Sequence, residues 1–104
     1  MAFIYHVTTK EEWASARAAG FYIAPSVSTE GFIHCSEAHQ VKAVLERYFA
    51  GRNDLIKLVI DTEKLEAPLK YEMAPSVNEN FPHIYGRINL DAITGVEIIQ
   101  ETKR

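Results

Sequence analysis

The chain has 104 residues, 47% hydrophobic and 24% charged, with a formal net charge of −3, which suits one domain with its own core. Its eleven Lys and Arg are scattered and adjacent only at Lys103-Arg104, which excludes the clustered basic face that nucleic-acid phosphates require. One cysteine excludes an internal disulfide, and no apolar run approaches the roughly 18 residues of a membrane span. A single domain over residues 1–104 is expected. The polar Thr8-Thr9-Lys10 follows the first apolar residues directly, so no signal peptide is expected and the location should be cytoplasmic.

Phe3 to Val7 alternates as a first strand, with Phe3, Tyr5 and Val7 on one face and Ile4 and His6 on the other. Thr9 with Glu12 three residues on predicts a capping box opening a helix over 10–19, with Trp13, Ala16 and Arg17 as its inner edge and Gly20 as its stop. Phe21-Tyr22-Ile23 is a short strand ended by Ala24-Pro25, and Ser26 to Glu30 is turn material. A strand over 31–35 leads to Ser36, the expected N-cap of a second helix over 37–50 whose apolar stripe is Val41, Val44, Leu45 and Tyr48.

Leu55 to Ile60 is the most apolar strand and should be central. Asp61 to Leu65 resembles one helical turn, and Leu69 to Glu72 a short strand. Met73 to Pro82, with two prolines and two asparagines, is expected to be a loop beside a site. His83 to Ile88 is a further strand, Leu90 to Ile93 a tight turn, and Gly95 to Gln100 the closing strand. This is an α+β layout.

The chemistry-bearing residues concentrate in a few of these segments. Glu30-Gly31-Phe32-Ile33-His34-Cys35-Ser36 places His34 near a strand end, beside a helix N-terminus whose N–H groups favour anionic ligand atoms. Cys35 points to the opposite face from His34, so it reads as a small core residue and not as half of a Cys–His nucleophile. His6 reads either as a histidine satisfied by backbone at a sheet end or as a donor to ligand hydroxyls. His39 reads as a surface or capping residue. His83 and Tyr85 share a strand face, either as structural aromatics or as the wall of a flat ligand's site. Glu30, Glu72 and Glu79 are the acids near these motifs, none paired in sequence with a second carboxylate. No zinc-type spacing joins the histidines, although His6, His34 and His83 can be imagined around one metal ion. There is no glycine-rich phosphate loop.

Ile4-Tyr5-His6-Val7-Thr8-Thr9, the segment Glu30 to Ser36, and Phe81-Pro82-His83-Ile84-Tyr85-Gly86, in this order, resemble the small bacterial domains of unknown function called DUF952. That family in turn resembles the ADP-ribosyltransferase superfamily in fold. The resemblance implies two small bent antiparallel sheets packed together, with two main helices outside. It also implies that His6 and Thr8 occupy the first-strand motif that holds the NAD ribose, with Val7 where a Gly is usual. Gly31-Phe32-Ile33-His34 with Ser36 resembles the second motif, with His34 in place of the residue that stacks on nicotinamide. The third motif normally supplies a late-strand Glu; here that strand carries His83 and Tyr85 and no acid.

The expectation is therefore a cleft for NAD or an ADP-ribose nucleotide, with ADP-ribosyl transfer or NAD glycohydrolase chemistry. His34, His83 and Tyr85 would be catalytic, and His6, Thr8 and Ser36 would bind the cofactor. A non-catalytic nucleotide-binding module and a histidine metal site with hydrolytic activity are the alternatives.

Overall fold

The structure, a computed structural model, describes residues 2–99. β1 (Phe3–Thr9) buries Ile4, His6 and Thr8 on one face and pairs antiparallel with β4 (Leu55–Asp61), Ile4 opposite Ile60 and His6 opposite Leu58. β4 carries β8 (Ile93–Ile98) on its other edge, so the most apolar strand is indeed central here. β8 starts two residues before the expected Gly95, and Gln100 lies outside the described residues.

Between β1 and β4 runs α1 (Lys10–Ala19). Thr9 caps it by accepting the Glu12 N–H at 3.0 Å, and Gly20 ends it at φ 92°, returning its N–H to the Ala16 carbonyl. The helix meets the core along a narrow strip at Trp13 and Ala16. Arg17, expected on that edge, is exposed because the strip is too narrow to include it.

Ser26 to Glu30, expected as a turn, is a short helix, α2, ended by Gly31 at φ 93°. The strand expected over 31–35 shrinks to β3 (Ile33–His34), and α3 covers Val41–Tyr48 after a 3₁₀ turn at Ala38–Gln40. β3 lies beside β6 (Glu79–Ile84), which pairs in turn with β5 (Leu69–Ala74).

The Met73–Pro82 loop is thus mostly a hairpin. Asn78, at φ 57°, makes the turn, and strand pairing runs from Ala74 opposite Glu79 onward. Pro82 sits mid-strand without losing a ladder bond to β5. Its carbonyl accepts the Cys35 N–H on the β3 side, so its missing donor faces the same side, where β3 has already ended.

The expected strand 83–88 is split. Gly86, at φ 147°, turns the chain, and a Cβ there would stand 3.1 Å from the Cβ of Ala67. Ile88–Asn89 departs as β7 to pair with β2 (Phe21–Tyr22). The architecture is α+β; among the described residues all strand pairs are antiparallel, but they form three sheets of three, two and three strands where two sheets were expected. The main core joins them through Ile4, Tyr22, Ile33, Leu58, Ile60, Ile84 and Ile88. A smaller cluster of Val7, Val41 and Leu55, with Leu45 and Phe49, seats α3 on the opposite face of the β1–β4 pair. Among the described residues no helix is long and apolar enough to cross a membrane.

Candidate functional site

A cavity of 540 Å³, within the range of small-molecule sites, brings together His6, His34 and His83 from β1, β3 and β6. α3 and the residue after it supply Val44, Tyr48 and Phe49, and the β5–β6 hairpin supplies Met73, Val77 and Phe81. Ser36, Cys35 and Glu30 also line it. Thr8 and Tyr85, expected in the cleft, are not among its lining residues.

β-strand alternation aims the imidazoles. In β3, Ile33 and its neighbour Cys35 go into the core while His34 stays exposed, as period-2 alternation requires. His34 stands directly opposite His83 in the β3–β6 register, so both rings project from one face, with centroids 5.4 Å apart. Phe32 stacks on His83 at 4.0 Å and meets His34 edge-on at 4.8 Å.

Each of these two imidazoles has a carboxylate partner from another element. His34 Nε2 is 3.0 Å from Glu30 Oε1 at the end of α2, and His83 Nδ1 is 2.6 Å from Glu72 Oε1 on β5. The Tyr85 hydroxyl donates to the same Glu72 oxygen at 2.6 Å. That bond, and next the His83 contact, hold the Glu72 carboxyl below the usual carboxylate range; Tyr85 is pushed up in return. Ionised Glu72 accepts from Nδ1–H of His83, which fixes the tautomer and leaves Nε2 as the ring's lone-pair nitrogen. The His83–Tyr85 stretch carries no acid and Glu79, at the start of β6, bonds Gln40, but the neighbouring strand β5 supplies Glu72. Glu30 and Glu72 are both readable as acids near the motifs, but nothing local marks their roles: Glu72 meets His83 only through the β5–β6 pairing, and Glu30 reaches His34, four residues on, only because α2 and Gly31 turn the chain.

His6 is differently placed. Its Nδ1 donates to the His34 carbonyl at 2.6 Å, and its Nε2 lies 2.8 Å from the Tyr22 hydroxyl. Tyr22 also reaches Thr8 Oγ1 at 3.0 Å, and Thr8 donates to Glu12 Oε1 at 2.7 Å. Burial, the largest influence, pushes His6 down to about 4. Neutral His6, Tyr22 and Thr8 thus have one hydrogen each for the four contacts, so the Tyr22 proton serves either His6 or Thr8. Tyr22, absent from the sequence reading of the site, is the hub of this network. Cys35 is buried and pushed up by desolvation, so its thiol is inert, as expected for a core residue.

Ser36 is not the N-cap expected of it. Its backbone forms a bridge with Tyr5, with N···O distances of 2.7 and 2.9 Å. Glu37 caps the turn instead, in a reciprocal box with Gln40. The Gln40 N–H at this helix start is therefore already bonded to the protein's own carboxylate. Among the described residues no group of three or more His, Cys, Asp and Glu side chains is arranged to hold a metal ion.

Comparison places this architecture among known proteins. A family model described as a protein of unknown function, DUF952, matches residues 7–96. The crystal structure of protein CC0527 from Caulobacter crescentus is similar at 28% identity and a TM-score of 0.84, covering 93% of this chain and 85% of that one. The solution NMR structure of the same protein gives 28% and 0.82, over 96% and 86%. No curated protein matches the chain.

Proposed function

We propose, from the premise that the chain belongs to the DUF952 family, that its cleft binds the nicotinamide–ribose end of NAD or a related ADP-ribose nucleotide and promotes ADP-ribosyl transfer or glycohydrolysis. The observation that carries this reading is the placement of His34 and His83, each held by a carboxylate, on the lining of one apolar, aromatic-walled cavity. The contact between the ring of His6 and the backbone of His34 joins the first-strand and third-strand motifs, which favours an ADP-ribosyltransferase-like reading of the fold.

The cavity suits a flat ring and a ribose. Phe49, Phe81, Met73 and Val77 offer apolar surface for the ring, while His34, His83 and Ser36 offer polar contacts to sugar hydroxyls. His83, with Nδ1 held by Glu72, would act as general base at Nε2, taking a proton from water or an acceptor hydroxyl. Glu72 does not line the cavity and is a positioning residue. Glu30 lines it, and its carboxylate would stabilise the positive charge that develops on the ribosyl carbon. In hydrolysis water forms the new C–O bond and the glycosidic electron pair leaves with nicotinamide. The products are ADP-ribose, nicotinamide and one proton. With both its ring nitrogens engaged, His6 supports the wall and the His34 backbone.

A second reading, a non-catalytic nucleotide-binding module, is favoured by one observation: the first-strand residues His6 and Thr8 are tied into the Tyr22 network. Calorimetry with NAD and ADP-ribose on wild type and His34→Ala, with nicotinamide release followed in parallel, decides. Saturable binding weakened in His34→Ala, together with release, is expected. Binding without release over hours selects the module, and no binding at millimolar ligand removes both.

A further inference from the structure

Resting on that reading, we infer that the cleft selects its ligand by charge: it takes a cationic N-ribosyl heteroaromatic without phosphate in preference to the phosphorylated nucleotide or the dinucleotide.

The lining carries no Lys or Arg among the described residues. Its charged member is Glu30, half-exposed and hydrogen-bonded to His34. Phosphate recognition relies on Arg, Lys or free backbone N–H groups. At the 3₁₀ turn that follows the motif, the Glu37–Gln40 box already engages the Gln40 N–H. Lys70 pairs in register with His83, but its ammonium lies 5.0 Å over the Tyr85 ring and the residue does not line the cavity. A phosphate on the ribose would therefore meet a carboxylate with no Lys or Arg beside it among the described residues, whereas a pyridinium ring would meet an acid and aromatic faces.

The rim supports the same ligand class. Tyr48 is 64% exposed and Met73 53% exposed, yet both line the cavity from opposite walls, one on α3 and one on β5. Aromatic and thioether groups hold a cationic ring well, and the pair adds a single neutral hydroxyl and no positive charge for a phosphate dianion.

The test is calorimetry of nicotinamide riboside, nicotinamide mononucleotide and NAD on wild type, Glu30→Gln and Glu30→Lys, at fixed low salt. The riboside should bind about tenfold tighter than the mononucleotide. Glu30→Gln should narrow that ratio, and Glu30→Lys, at a half-exposed position that tolerates the change, should reverse it. Equal affinities, or a mononucleotide or NAD that binds tighter to wild type, overturn the charge selection and leave the nucleotide reading standing. Absence of binding by all three overturns both.

Discussion

At the level of single residues, two histidines that look alike in the sequence behave oppositely. His6 is buried and neutral, pushed down to about 4 by desolvation. Its folded value lies below the unfolded one near 6.5, so the unfolded chain binds the proton more readily between those two pH values. Stability is unaffected by this group above pH 6.5 and falls as pH drops toward 4, by about 3 kcal/mol. Denaturant titrations of wild type and His6→Asn across pH 7 to 4 should show a steeper decline in wild type; parallel curves would refute the assignment. His83 owes its tautomer to Glu72. Glu72→Gln should convert its ring from a Nδ1–H form to a tautomer mixture, read from nitrogen shifts, and lower any nicotinamide release by the roughly 10²-fold or more typical of general bases. An unchanged ring spectrum would remove Glu72 from its positioning role.

Among the elements, Gln40 couples the two walls of the cleft. Buried at the start of α3, it donates to the Asn80 carbonyl at 2.9 Å and to Glu79 at 3.0 Å on β6, while its oxygen accepts the Glu37 N–H. Gln40→Leu would strand these groups, at a cost of roughly 1–3 kcal/mol. Hydrogen exchange should speed up in the β5–β6 hairpin more than in β4; uniform protection would place the hairpin's anchoring elsewhere.

The same elements mark the reach of local sequence signals. β1, α1 and β4 were legible because alternation, the Thr9 cap, the Gly20 stop and an apolar run each act within a few residues. β6 was not, because Pro82 and the polar Asn78-Glu79-Asn80 stretch resemble a loop until β3 and β5 are placed on either side. Ser36 lost its cap role to Glu37 for a similar reason: a long-range bridge to Tyr5 claimed its backbone. The gathering of His6, His34 and His83 was readable from three motifs; the Glu72 carboxylate depends on β5–β6 pairing, and the Glu30 carboxylate on the local turn through Gly31.

Across the whole molecule, three small sheets share one core, and the cleft opens where α3 faces the β5–β6 hairpin. The net charge of −3, and a cleft lining that holds an acid and, among the described residues, no Lys or Arg, support the proposed preference for a cationic ring. The structure divides the three cleft histidines into two groups: His34 and His83 keep a nitrogen unbonded to the described residues, while His6 has none. A histidine-labelled NMR titration with nicotinamide riboside reads this division directly. Saturable shifts at His34 and His83, with His6 nearly unmoved, are predicted. Ring signals of His34 and His83 that stay fixed at millimolar ligand would contradict the assignment of this cleft as the ligand site.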